Sequence, residues 1–129
     1  MTDFVTKRAL GSETTNYALF VADTYLEEDS ILNNNAGTYS PAVGDVLCYD
    51  TGDSDKHKRY DAAIGTVVIL GIVSAITVDQ TTPTAVEAIK FATNATVRYA
   101  SLGTDNVDTA PEKLALQNAL RAKNINTED

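Results

Sequence analysis

Gly65-Thr-Val-Val-Ile-Leu-Gly71-Ile-Val-Ser-Ala-Ile-Thr-Val-Asp79 is the stretch whose reading decides the fold. It is the one long apolar run in the chain, and periodicity alone does not separate a buried strand from a buried helix in such a run. Composition does. Val, Ile and Thr lose rotamer freedom in a helix and pack well on a pleated surface, and Gly65 and Gly71 would each weaken a helix interior. Gly71 predicts a bend or bulge that splits the run into two strand halves. A membrane span needs about 18 apolar residues or more, so the run is too short to be one. It is expected to be the central strand of a β core.

Downstream, Gln80-Thr-Thr-Pro-Thr84 reads as a turn. From Ala88 to Ala100 the pattern alternates, with Ile89 and Phe91 opposite Lys90, then Val97 and Tyr99 opposite Arg98. Asn94 lies between, so two short strands or one bulged strand fit. Thr109-Ala-Pro-Glu112 has the spacing of a capping box, with proline in the first turn where its missing donor costs little. Leu116, Ala119, Leu120 and Lys123 share one helical face, with Leu114 as a flanking apolar contact. Glu112 at the start and Arg121 and Lys123 at the end complement the helix dipole, and Asn124 can cap the stop. One short amphipathic helix is expected to close the domain.

Upstream, Val43-Gly-Asp-Val-Leu-Cys-Tyr49 reads as a short strand opened by a Gly-Asp turn, with Cys48 a small buried core residue rather than a nucleophile. The polar segment from Asp50 to Tyr60 reads as a hairpin or loop leading to the central run. Tyr17-Ala-Leu-Phe-Val-Ala-Asp23 predicts a first strand, Glu27-Glu-Asp29 a solvated loop, and Asn33-Asn-Asn-Ala-Gly37 a turn. Residues Met1 to Asn16 are polar and mixed, with Phe4, Val5 and Leu10 the apolar exceptions and no helical period linking them. Two readings stay open for this segment: a frayed terminus, or an arm in which Phe4-Val-Thr adds a strand to a foreign sheet edge.

The chain has 129 residues, a length that suits one domain with a real core, and 43% hydrophobic residues, which excludes disorder throughout. Its formal net charge is −8, with a pI near 4.4. Such a surface repels phosphate backbones, so no nucleic-acid partner is expected. Cys48 is the single cysteine, which rules out an intrachain disulfide. No signal peptide or transmembrane segment is expected, so the chain reads as soluble and made in a cytoplasm, with no membrane partner.

Asp50, Asp53 and Asp55 invite a calcium reading, but Gly52 precedes two of them, against the order of an EF-hand loop, and a solvated turn is expected. His57 is the only histidine and sits among Lys56, Lys58 and Arg59, so it reads as an exposed loop residue rather than a ligand or base. With no second histidine, no paired cysteines and no phosphate-binding glycine loop, no catalytic residue, metal or cofactor is expected. The residues favour a binding or structural role.

Val43-Gly-Asp-Val-Leu-Cys-Tyr49, the polar loop ending at Tyr60, and Ala63-Ile-Gly through Leu70-Gly-Ile-Val73 together resemble the lambda-type head decoration proteins of tailed phages. The matching pieces are Gly44-Asp-Val-Leu47, Leu70-Gly-Ile72, Ala95-Thr-Val-Arg98 and the segment from Leu116 to Ile125, spread over residues 17 to 125. The resemblance implies a small β-rich domain that trimerises at the three-fold and quasi-three-fold positions of an expanded capsid, placing it on the virion surface after synthesis in the host cytoplasm. It also implies that an N-terminal arm extends a sheet of the major capsid protein. Carried over, that arm is Thr2, Asp3, Phe4, Val5, Thr6, Lys7, Arg8, Ala9 and Leu10. A second class of function, a small carrier or ligand-binding module of the lipoyl or biotinyl kind, is suggested by Gly44-Asp-Val-Leu47. It would need a tight turn presenting one lysine and a second half echoing the first, whereas Lys56 and Lys58 lie in a longer charged loop and no internal repeat is present.

Residues and resemblance together predict a mainly β chain. It would be a small β-sandwich or barrel-like domain over residues 17–129, with one short C-terminal α-helix and a flexible N-terminal arm over residues 1–16.

Overall fold

The β-branched run forms a single strand of twelve residues in the computed structural model. The structure describes residues 18–21, 25–28, 30–33, 35, 38–51, 56–64, 67–78 and 87–129. Its strands are β1 (Leu26–Glu27), β2 (Ile31–Leu32), β3 (Val46–Asp50), β4 (His57–Arg59), β5 (Val67–Val78), β6 (Glu87–Thr93), β7 (Ala95–Arg98) and β8 (Ile125–Glu128). A 3₁₀ turn, Tyr99–Ser101, follows β7, and the helix α1 spans Ala110–Arg121. The fold is mainly β with one C-terminal helix.

β5 lies at the centre of an antiparallel sheet, with β3 and then β4 on one side and β6 on the other. Both β1 and β2 pair with the far edge of β6. Among the described residues the sheet does not close into a barrel, because its edges at β4 and at β1/β2 do not pair with one another. β7 and β8 form a separate parallel pair.

Gly71 does not split the run. Its bareness has another cause: a Cβ there would lie 2.5 Å from the Ala92 carbonyl oxygen and 2.8 Å from Phe91 Cδ2. The irregularities sit beside it. Leu47 pairs with Gly71 and Cys48 with Ile69, which leaves Leu70 as an extra residue. Val73 pairs with Phe91 and Ala75 with Lys90, which leaves Ser74 as another. Two bulges thus twist β5 without ending it. The Ser74 hydroxyl donates to Glu27 Oε2 at 2.6 Å, tying the second bulge to the sheet edge.

That bond also corrects the reading of Glu27 as part of a solvated loop: Leu26 and Glu27 are strand residues opposite Thr93 and Ala92. The expected first strand at 17–23 shrinks, among its described residues, to one bridge between Phe20 and Val97. In the 33–37 segment the expected turn is present at Asn35, whose amide donates to Asn33 Oδ1. The expected turn at 80–84 lies outside the described residues. β3 forms where expected, opened by a turn in which Gly44 has φ 99°, a conformation that disfavours any residue with a Cβ.

Asn94 and Asn124 both adopt left-handed backbone angles, with φ of 52° and 58°. Asn94 separates β6 from β7, so the alternation from 88 to 100 is two strands in two different sheets. Asn124 stops the helix region, and its side chain donates to Asn94 Oδ1 at 2.7 Å, so the two turns brace each other. The capping box is present, with the Glu112 amide donating to Thr109 Oγ1 and the Thr109 amide donating to Glu112 Oε1. Leu116 and Leu120 are fully buried. Two parts of the helix reading fail: Leu114 is 54% exposed, and Lys123 lies beyond α1 at the surface. The helix also does not end the fold, since β8 follows it and runs parallel to β7.

The main core lies between the large sheet and the layer made by α1, β7 and β8. Val46, Cys48, Ile69, Ile72 and Ala92 from the sheet meet Phe20, Val97, Leu116, Leu120 and Ile125 from that layer. This is a two-layer, sandwich-like arrangement with the helix in the second layer.

Candidate interaction surface

Thr2, Asp3, Phe4, Val5, Thr6, Lys7, Arg8, Ala9 and Leu10 lie outside the described residues, as does the whole of the expected arm at 1–16. The point where that segment joins the fold is described. Leu19 and Phe20 are buried, and Phe20 stacks on Tyr25 with ring centroids 4.1 Å apart. The Arg98 amide donates to the Leu19 carbonyl at 2.7 Å, the Val21 amide donates to the Thr96 carbonyl at 2.9 Å, and Ser101 Oγ donates to the Ala18 carbonyl. The root of the arm is therefore fixed to β7 from both its apolar side chains and its backbone.

The large sheet has a second face. Residues directly paired across an antiparallel ladder point to the same side. Val73 pairs with Phe91, and Ile76 with Ile89, which itself pairs with Ile31. These residues lie opposite the main core and form a smaller cluster with Tyr39 and Leu47. Tyr39, Leu47, Val73 and Ile89 are buried, while Ile31, Leu70, Ile76 and Phe91 are half-buried around them. Leu26 pairs with Thr93, two residues on from Phe91, so the register puts it at the rim of this face, where it is 51% exposed. Among the described residues no helix or second sheet lies over this side.

At the β4 end of the same face is a polar cluster that no sequence spacing announced. Asp45 is 3% exposed and accepts from the Tyr39 hydroxyl at 2.8 Å, the Ala42 amide at 3.0 Å and Arg59 Nε at 3.0 Å. Arg59 also pairs with Asp105 at 3.5 Å. Burial and the bond to Asp45 push the Tyr39 phenol far above its ordinary range, and the bond to Asp45 holds the Arg59 guanidinium charged. These groups are partnered with one another, and the arrangement fixes the start of β3 against β4 and the 103–105 segment. It is a structural clamp.

The remaining candidates are also placed. Cys48 is buried in the main core, and burial pushes its thiol up to about 12, so it is a thiol and not a thiolate at neutral pH. His57 is not an exposed loop residue: it is the first residue of β4, opposite Tyr49, and is buried. Asp50 pairs with Lys58 at 3.6 Å across the β3–β4 hairpin, while Asp53 and Asp55 lie outside the described residues. Lys58 is thus a strand residue with an ion-pair partner, and Lys56 immediately precedes β4. Among the described residues no group of three or more His, Cys, Asp or Glu side chains could hold a metal, and no helix is long and apolar enough to cross a membrane. No protein-family model matches the chain, and no curated protein matches its sequence.

Proposed function

We propose that this chain is a capsid decoration protein, which binds as a homotrimer to the outside of an expanded phage head and stabilises it without chemical turnover. Segment Thr2–Leu10 is the capsid-binding arm in this reading, and the major capsid protein at three-fold and quasi-three-fold sites is its partner. The observation that supports it is the fixed root of the arm. Leu19 and Phe20 are buried and Leu19 and Val21 are hydrogen-bonded to β7, so a load that reaches Leu19 is borne by the core.

Energetics favour several arms acting together. Ordering an arm of nine residues costs on the order of 1–2 kcal/mol per residue, which main-chain pairing and burial of Phe4 and Val5 offset in part. One arm binds weakly. Arms held on one trimer act at high effective concentration, and avidity then exceeds a single contact by about 10²–10⁴-fold. Closed symmetry suits a clamp between neighbouring capsomers.

Deleting residues 1–10 tests this directly. The truncated chain is expected to fold, with an unchanged circular dichroism spectrum, and to lose co-sedimentation with expanded heads. Unimpaired co-sedimentation of the folded truncation would sink the proposal.

A further inference from the structure

We infer that β8 is a latch: it holds residues 18–21 on the core, and its undocking sets them free while the large sheet stays folded. β7 is clasped from both edges. Phe20 bridges Val97 antiparallel on one side, and Thr127 pairs with Val97 in parallel on the other. The backbone groups of β7 divide accordingly. The Arg98 amide and the Thr96 carbonyl face residues 18–21, where they bond Leu19 and Val21. The Ala95 amide donates to the Asn124 carbonyl at 3.1 Å, and the register then turns the backbone groups of Ala95 and Val97 towards β8. Phe20, Ala95, Val97 and Ile125 are buried in one cluster, so all three segments share a core.

β8 is lightly held. It has four residues, of which Ile125 is buried, Thr127 half-buried, and Asn126 and Glu128 exposed. It pairs in parallel, the slightly less stable arrangement per residue. Its ion pairs, Arg98–Glu128 at 3.7 Å and Lys113–Asp129 at 2.9 Å, lie at the surface and add little. The large sheet makes its own ladder, with a second cluster and the Asp45 clamp on the face away from β8. Residues 18–21 have no such independence. Once β8 leaves, the backbone groups of buried Ala95 and Val97 lose their partners, and a two-stranded remnant is marginal at best. The opening therefore passes through β7 to Leu19 and Val21, two strand spacings or about 10 Å away. The inference concerns the fold of the chain alone and stands whether or not it binds heads.

The test is amide hydrogen exchange of the full chain, read residue by residue by NMR. The Arg98 and Val21 amides report on the root, since they donate to the Leu19 and Thr96 carbonyls. The Val73 amide, which donates to the Asp45 carbonyl, reports on the large sheet. Asn126→Pro removes the amide that the register places on the Ala95 carbonyl, at an exposed position that leaves the core untouched. It is expected to speed exchange at Arg98 and Val21 by about tenfold, with Val73 unchanged. Unchanged rates at Arg98 and Val21 would overturn the latch. So would an equal acceleration at Val73, because the whole fold would then give way together. If Asn126→Pro does not fold, Ile125→Val decides by the same comparison: it trims the one buried side chain of β8, and Arg98 and Val21 are expected to exchange faster relative to Val73.

Discussion

Asp45 shows how much of this fold rests on one side chain. Its carboxylate accepts from residues 6 and 14 positions away, Tyr39 and Arg59, and from the Ala42 amide, so its removal takes the acceptor from the buried Tyr39 hydroxyl and one bond each from Ala42 and Arg59. Asp45→Ala is expected to destabilise the chain by about 2–4 kcal/mol, less than a fully buried pair would because Arg59 is partly solvated, and Tyr39→Phe by about 1–2 kcal/mol. Urea midpoints measured with unchanged slopes would show this ordering. Cys48 gives a second residue-scale test. Its thiol is raised in the folded chain from an ordinary 9.0 to about 12, so folding favours the protonated form. That contribution to stability is complete below the unfolded value and is lost as pH rises from about 9 towards 12. At neutral pH a maleimide should label Cys48 only as fast as the chain opens; immediate labelling of the folded protein would contradict the burial argument.

At the scale of elements, the helix start is the most local signal and was the most legible. Thr109, Pro111 and Glu112 settle their geometry among neighbours in sequence, so spacing alone locates the cap. Thr109→Ala should cost about 1 kcal/mol in thermal or urea unfolding. The amides of Asp108 and Thr109 hold the Glu112 carboxyl below its ordinary range. Its contribution is therefore present above the unfolded carboxylate value and is lost as pH falls through the lower folded one. E112Q should flatten that acid limb of the stability profile. The β-branched composition of 67–78 was equally readable, because β-packing preference is carried by each residue. Other elements were not. β1 and β2 are two residues each and exist because β6 supplies a partner, while β8 forms because β7 lies beside the chain after Asn124. The burial of His57 depends on its place opposite Tyr49, and the Asp45 clamp gathers residues between 39 and 105. Contacts of that kind have no period in the sequence.

For the whole molecule, two features set what it can do. One sheet face packs against α1, β7 and β8, and the other gathers the smaller cluster of Tyr39, Leu47, Val73 and Ile89. The first holds Leu19 and Val21 on β7; the second is pinned at its β4 end by the Asp45 cluster. The proposed assembly role rests on the first of these. The measurement that bears on it most directly is saturation binding of the full chain to expanded, undecorated phage heads, followed by heating of the decorated heads. The account predicts that the chain pellets with the heads, saturates at three copies per three-fold site, and raises the temperature at which the heads release their DNA. A chain that stays in the supernatant, or binds without changing that temperature, would contradict it.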